Sequence, residues 1–319
     1  MQRLARKHQS PLSLAPLPLQ RSMAQIGPVW AQDIERHSRI VFDAYTPLLR
    51  NAPRNGVIIT RDVAYGSHAR QLLDVYHTPR PFDQAARPVM LFVHGGAYVG
   101  GERNVTPEIY GNVTTWFARN DCVGVNVGYR LAPEAVYPQG ARDIGRAVAW
   151  VHENIQAFGG DPSRILLIGH SSGGTHVASY VFDDAARGEP APRIFGQVLI
   201  SARLRADIRP DNPNAAGVRA YFGDDPAAYH ARSPVIHAAG SRVPTMIVVA
   251  EFESPLLDVY ALDLFHAMSQ AAPPELRFVR MDRHNHTSIV AHFNTSEEIL
   301  GDQILDFMAS IPAPTGAGV

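Results

Sequence analysis

Short, mostly apolar runs recur through the middle of the chain at 89–93, 122–127, 165–168, 195–201 and 246–250, and 276–281 reads as a further strand. Each is too short for a buried helix and reads as a strand, with 89–93 buried. Between them, apolar positions return at helical spacing over 110–119, 141–158, 174–182 and 256–268, and a last helix is predicted over 297–308. Upstream, 57–60 and 72–76 alternate as strands with Gly66-Ser67 as a turn between them, a connection tight enough for an antiparallel pair. Strands alternating with helices imply right-handed crossovers and a mixed, mostly parallel sheet with helices on both faces, an α/β architecture.

Two segments fall outside this alternation. One is a helical pattern over 30–49, and the other is 203–239, rich in Pro, Asp, Gly and Ala. Ligands in such folds sit beyond the C-terminal ends of the strands, so 24–50 and 203–239 are expected to form a small cap. Their apolar residues, among them Val41, Tyr45, Val218 and Tyr221, are expected to line the pocket and to favour an uncharged substrate. Residues 1–23 carry Arg3, Arg6, Lys7 and Arg21 without an acid, and Pro11, Pro16 and Pro18 interrupt every apolar stretch. They predict a disordered tail rather than a signal peptide, with 24–319 forming one domain.

Composition narrows the partners. With 319 residues, 45% hydrophobic and 18% charged, the chain can fill the core of one large domain. A formal net charge of -1 argues against nucleic acid or an anionic membrane as partner. No apolar run of bilayer length is free of charge or glycine, so no membrane span is expected. The single cysteine, Cys122, sits in an apolar run as a buried small hydrophobe, which suits a reducing cytoplasm. The oligomeric state is left open, a homodimer included.

Chemistry concentrates at Gly169-His170-Ser171-Ser172-Gly173-Gly174, directly between a predicted strand and a predicted helix. This is the context of a nucleophile elbow, a turn so tight that the serine hydroxyl stands exposed and its neighbours must be glycine. Ser172 is not flanked symmetrically, which leaves Ser171 as the nucleophile. A second glycine turn, His94-Gly95-Gly96-Ala97-Tyr98, follows strand 89–93, and its backbone at Gly95, Gly96 and Ala97 can bring N–H groups close to a developing oxyanion. A serine nucleophile needs a base and an orienting acid. His286, just after the last predicted strand, is the candidate base, although His284-x-His286 could also pair as metal ligands. After the penultimate strand, Glu253 is the first candidate acid and Asp258 the second.

Together these residues resemble the hormone-sensitive-lipase-like esterases and the neighbouring arylformamidase-like group of α/β hydrolases. The likeness rests on His94-Gly95-Gly96, Tyr129-Arg130-Leu131-Ala132-Pro133-Glu134, the elbow and Asn285-His286, and runs from about residue 57 to the last helix. It implies an α/β-hydrolase fold, a Ser171–His286–Glu253 triad and an oxyanion hole from Gly96, Ala97 and Ser172. Three departures stand out. Ala97 occupies the place of a third glycine, Glu253-Ser254-Pro255-Leu256 replaces Asp-Pro-Leu with the acid one residue out of register, and His170 replaces the aspartate usual in the lipase-like branch. The expected activity is hydrolysis of small, mostly uncharged carboxylic esters through an acyl-enzyme, with no cofactor or metal. Amide, formamide or carbamate hydrolysis by the same triad, and a non-catalytic small-molecule receptor, are the alternatives.

Overall fold

The structure, a computed structural model, describes residues 10–81, 84–188 and 192–312. The strands are β1 (Ile58–Ala64), β2 (Leu72–His77), β3 (Arg87–Val93), β4 (Val123–Val127), β5 (Gly160–His170), β6 (Gly196–Ile200), β7 (Thr245–Phe252) and β8 (Leu276–Asn285). They form one sheet in the order β1-β2-β4-β3-β5-β6-β7-β8. β1–β2 and β2–β4 run antiparallel and every other pair is parallel, the predicted mixed sheet.

Alternation along the strands sorts the core into two layers. Leu91, Val125, Leu167, Leu199 and Val249 face one side, where helices α4 (Gln139–Asn154), α5 (Ser172–Phe182) and α7 (Leu257–Ser269) pack. Phe92, Leu166, Ile168, Val198 and Val248 face the other, covered by α1 (Leu17–Ile26), α2 (Ile34–Arg50), α3 (Gly111–Arg119) and α8 (Ile299–Ser310). Each such buried Val, Leu, Ile or Phe side chain contributes about 1.5–3 kcal/mol. One further helix, α6 (Ala215–Phe222), lies in the segment predicted as cap.

The predicted tail needs correction. Residues 1–9 lie outside the described residues, but Leu12, Leu19, Met23 and Ile26 are buried in the second core layer and 17–26 is helical. Pro16 is the N-cap of α1 and Pro18 lies in its first turn, positions where a missing N–H has no intrahelical partner to lose. The prolines that suggested disorder start a helix instead. Two boundaries also move. The helix predicted over 30–49 begins at Ile34, after Asp33 caps it by accepting from Arg36 N at 3.1 Å, and α4 ends at Asn154 before a 3₁₀ turn closed by Gly159.

For function, the important feature is one edge of the sheet. β5, β6, β7 and β8 are consecutive neighbours, and their C-terminal ends carry Ser171, Ser201, Glu253 and His286.

Candidate active site

Ser171 stands between the last residue of β5 and the first of α5, with φ 54° and ψ -124°. Such a conformation costs a non-glycine residue on the order of 1–3 kcal/mol and persists only where the surroundings enforce it. Here Ser171 N donates to Ile200 O on β6 at 2.9 Å, and Thr175 N donates back to Ser171 O at 3.2 Å. At Gly173 the start of α5 passes so close to the end of β3 that a Cβ would collide with the carbonyl oxygens of Val93 and His94. A glycine is required there by space.

The candidate base and acid arrive from β8 and β7. His286 Nε2 lies 3.0 Å from Ser171 Oγ, and His286 Nδ1 lies 2.7 Å from Glu253 Oε2. Because a carboxylate only accepts, Nδ1 carries the hydrogen and Nε2 is left to accept from the serine hydroxyl. The second carboxylate oxygen, Glu253 Oε1, accepts from Ala250 N at 2.8 Å and from the Ser201 hydroxyl. A bulge precedes this arrangement: Ala250 pairs with Met281, yet Phe252 pairs with Asn285, and Arg283 in the extra stretch has φ 66°. Bulges re-aim side chains at strand ends, and this one brings His286 N to Phe252 O at 3.1 Å. The side chains of His286 and Glu253 are 9% and 5% exposed, so bulk water does not compete for the contact between them.

The alternatives fall elsewhere. Asp258 is exposed in the first turn of α7, with its carboxylate accepting from Val259 N. His284 turns away from His286 into the second core layer, where Nε2 meets Glu297 Oε1 at 2.9 Å and Nδ1 meets Ser288 Oγ at 3.0 Å. The two rings therefore serve separate partners and do not converge on a metal position. Burial alone would raise the Glu297 carboxyl, but the rings of His292 and His284 and the Leu12 amide hold it down at about 2.

The glycine turn after β3 lies against Ser171. Gly96, Ala97 and Tyr98 have φ of 145°, 51° and 71°, and a Cβ on Gly96 would collide with Gly100 O. Successive residues of this kind point backbone N–H groups into a common concavity, an anion-binding shape. Among the described residues no backbone carbonyl accepts from the Gly96 or Ala97 amides. Gly95 packs directly against the elbow, where a Cβ on it would stand 2.9 Å from Ser171 Cβ. Ser172 opens α5, so its amide belongs to the positive end of a helix. His94 braces the turn. Its Nδ1 donates to Gly95 O at 2.7 Å, its ring stacks on Tyr129 at 4.4 Å, and Tyr129 OH donates to His94 O at 2.8 Å. Further along the same motif, Arg130 grips the buried Asp143 at 2.6 and 2.9 Å.

Both segments expected as cap reach this site. The Trp30 ring centroid lies 6.4 Å from that of His286, and Ser38 Oγ meets Thr287 Oγ1 at 3.2 Å. On the opposite side, α6 lays Tyr221 flat on Tyr98 at 5.0 Å. The side chains expected to line the pocket do not do so, however. Val41, Tyr45, Val218 and Tyr221 are at most 2% exposed, because they fasten the cap segments to the domain. Their apolar character reports packing and carries no information about substrate. Sequence reasoning also missed Ser201 and gave no role to His170, which both contact the triad across the sheet. Among the described residues no helix is long and apolar enough to cross a membrane.

A serine held in a strained strand-to-helix turn, with a histidine and an acid from the following strands, defines the α/β hydrolases. The alpha/beta hydrolase fold family matches residues 90–288, and the chain belongs to it. Among curated relatives, Esterase LipQ of Mycobacterium tuberculosis is 24% identical over 79% of the chain and 62% of its own length. Carboxylesterase NlhH of the same organism is 36% identical over 46% of the chain and 44% of its own length. The chain thus spans less than two thirds of these relatives. Of solved structures, Bacterial Heroin Esterase superposes with a TM-score of 0.70 at 20% identity, covering 92% of this chain and 98% of that one. Esterase B from Lactobacillus rhamnosis also gives 0.70, at 17% identity over 92% and 96%. At these identities the likeness is one of fold.

Proposed function

We propose that the chain is a carboxylic ester hydrolase working through an acyl-enzyme on Ser171. The observation that carries the reading is the unbroken chain of contacts from Ser171 Oγ to His286, 3.0 Å, and from His286 to Glu253, 2.7 Å. His286 Nε2 takes the serine proton as Oγ attacks the ester carbonyl. The amides of Gly96, Ala97 and Ser172 receive the oxyanion, and each such donor is typically worth about 3 to 4 kcal/mol of barrier. Glu253 holds the tautomer and stabilises the imidazolium, which then protonates the leaving alcohol. Water, activated by the same histidine, releases the acid. Carbonyl activation by the amides and proton transfer through His286 account for each step. The esterase names of the relatives support the ester class, and the single buried cysteine, Cys122, suits a cytoplasmic setting.

The test is hydrolysis of a short-chain nitrophenyl ester by the wild type and by Ser171→Ala, beside matched anilide, formamide and carbamate substrates. Ester turnover lost in the variant, with the fold retained by circular dichroism, is the expected result. Equal turnover in both proteins removes Ser171 from the mechanism, and faster cleavage of the nitrogen-linked substrates reassigns the substrate class.

A further inference from the structure

The residue before the nucleophile has a contact that the triad does not explain. His170 Nε2 lies 2.9 Å from the main-chain carbonyl oxygen of His286. A carbonyl can only accept, so Nε2 carries the hydrogen and Nδ1 is bare. That Nδ1 is buried and has no hydrogen-bond partner among the described residues. The whole residue is 3% exposed, and its ring stands 5.1 Å from the His286 ring. A buried polar atom without a partner costs stability. A phenyl ring would fill the same space without that cost, so packing alone does not account for a histidine here.

We propose that His170 is a positioning residue for the base, its N–H anchoring the His286 backbone to the residue adjoining Ser171. The proposal rests on the reading of Ser171 and His286 as nucleophile and base. Its physical basis is the connection it makes. His286 follows a bulged strand end, and its own N–H is held by Phe252 O on β7. His170 supplies a direct link from the base's backbone to the elbow, through a single side chain. The 3.0 Å separation between Nε2 and Oγ is then fixed on both sides by neighbouring residues. Burial, followed by the facing His286 ring, lowers the His170 pKa to about 3, so the ring stays neutral and keeps a single fixed donor at neutral pH.

The experiment compares kcat and KM on one nitrophenyl ester for the wild type, His170→Phe, His170→Met and His170→Gln, per active site titrated with a fluorophosphonate, and for Ser171→Ala per mole of total protein. Gln can place an N–H near the position of Nε2, whereas Phe and Met supply volume alone. Because a displacement of about 1 Å can cost 10²-fold in rate, kcat is expected to fall about 10- to 100-fold in the apolar variants with KM within about threefold. His170→Gln is expected to recover most of that loss. Two apolar shapes are used so that either one that folds decides the matter. Wild-type kcat in Phe or Met, or an equal loss in Gln, overturns the positioning role. Activity surviving in Ser171→Ala would instead overturn the serine mechanism on which it rests.

Discussion

Ser201 donates its hydroxyl hydrogen to Glu253 Oε1, the carboxylate oxygen that His286 leaves free. The contact joins the ends of β6 and β7 and, with the Ala250 amide, stops the carboxylate rotating about its last bond. A glutamate has one more torsion than an aspartate to immobilise, and the hydroxyl supplies that restraint. A hydrogen bond to a charged group is worth about 1.5–3 kcal/mol. With the Ala250 amide still in place, Ser201→Ala is expected to lower kcat about tenfold. Glu253→Gln, which disturbs the histidine tautomer, is expected to cost about 10³- to 10⁴-fold, and Asp258→Asn nothing. Steady-state ester kinetics check all three, and full activity in Ser201→Ala would mean that the backbone alone holds the acid.

The cap helix α6 is coupled to the glycine turn at Gly217. A Cβ there would collide with the Ala97 carbonyl oxygen, so Gly217→Ala must displace either the helix or the turn. The Ala97 amide is aimed from that same turn, and kcat is expected to drop about tenfold or more on loss of most of one donor's contribution. The melting temperature is expected to move by only a few degrees. Unchanged kinetics would mean that α6 yields and the turn does not.

Stability is expected to depend on pH through histidines that the fold keeps neutral. Burial lowers His94 and His292 to about 4 and His170 and His176 to about 3, against about 6.5 in the unfolded chain. With folded values below unfolded ones, their contribution is complete above about pH 6.5 and is lost as pH falls toward 4 for His94 and His292 and toward 3 for His170 and His176, because only the unfolded chain takes up protons there. Glu297, held at about 2, adds a further loss below the ordinary glutamate pKa of about 4.3. The urea midpoint is therefore expected to be lower at pH 5 than at pH 7.5. A flat profile between those values would mean that these rings protonate without unfolding the protein.

The sheet was legible because its inner strands are buried on both faces and read as largely apolar runs; β4 is buried at every position, with Asn126 its one polar side chain. Ser171 was legible because the elbow is local, with its strand, turn and helix adjacent in sequence. Glu253 and His286 could be proposed from chain order, and the structure brings both within hydrogen-bond distance of their partners. Ser201 left no such trace. It meets Glu253 across 52 positions of sequence, and a serine ending an apolar run looks like any other strand end. The N-terminal helix was hidden for a different reason: Pro16 and Pro18 read as breakers until their places at the helix start are known.

The four neighbouring strand ends also explain how Glu253 reaches His286 from its displaced place in the sequence. Sideways spacing between strands is set by backbone pairing at roughly 4.8 Å, and no side chain can alter it. Reach along the strand is set by side-chain length together with the bulge at the end of β8. These two dimensions are independent, so an acid moved one step along the strand can be compensated by a longer side chain while its lateral position stays fixed. A Glu one residue early and an Asp on time are then interchangeable solutions to one geometric problem. Chains of this family should be able to pass from one to the other by a single insertion paired with a single substitution, with no change in the sheet.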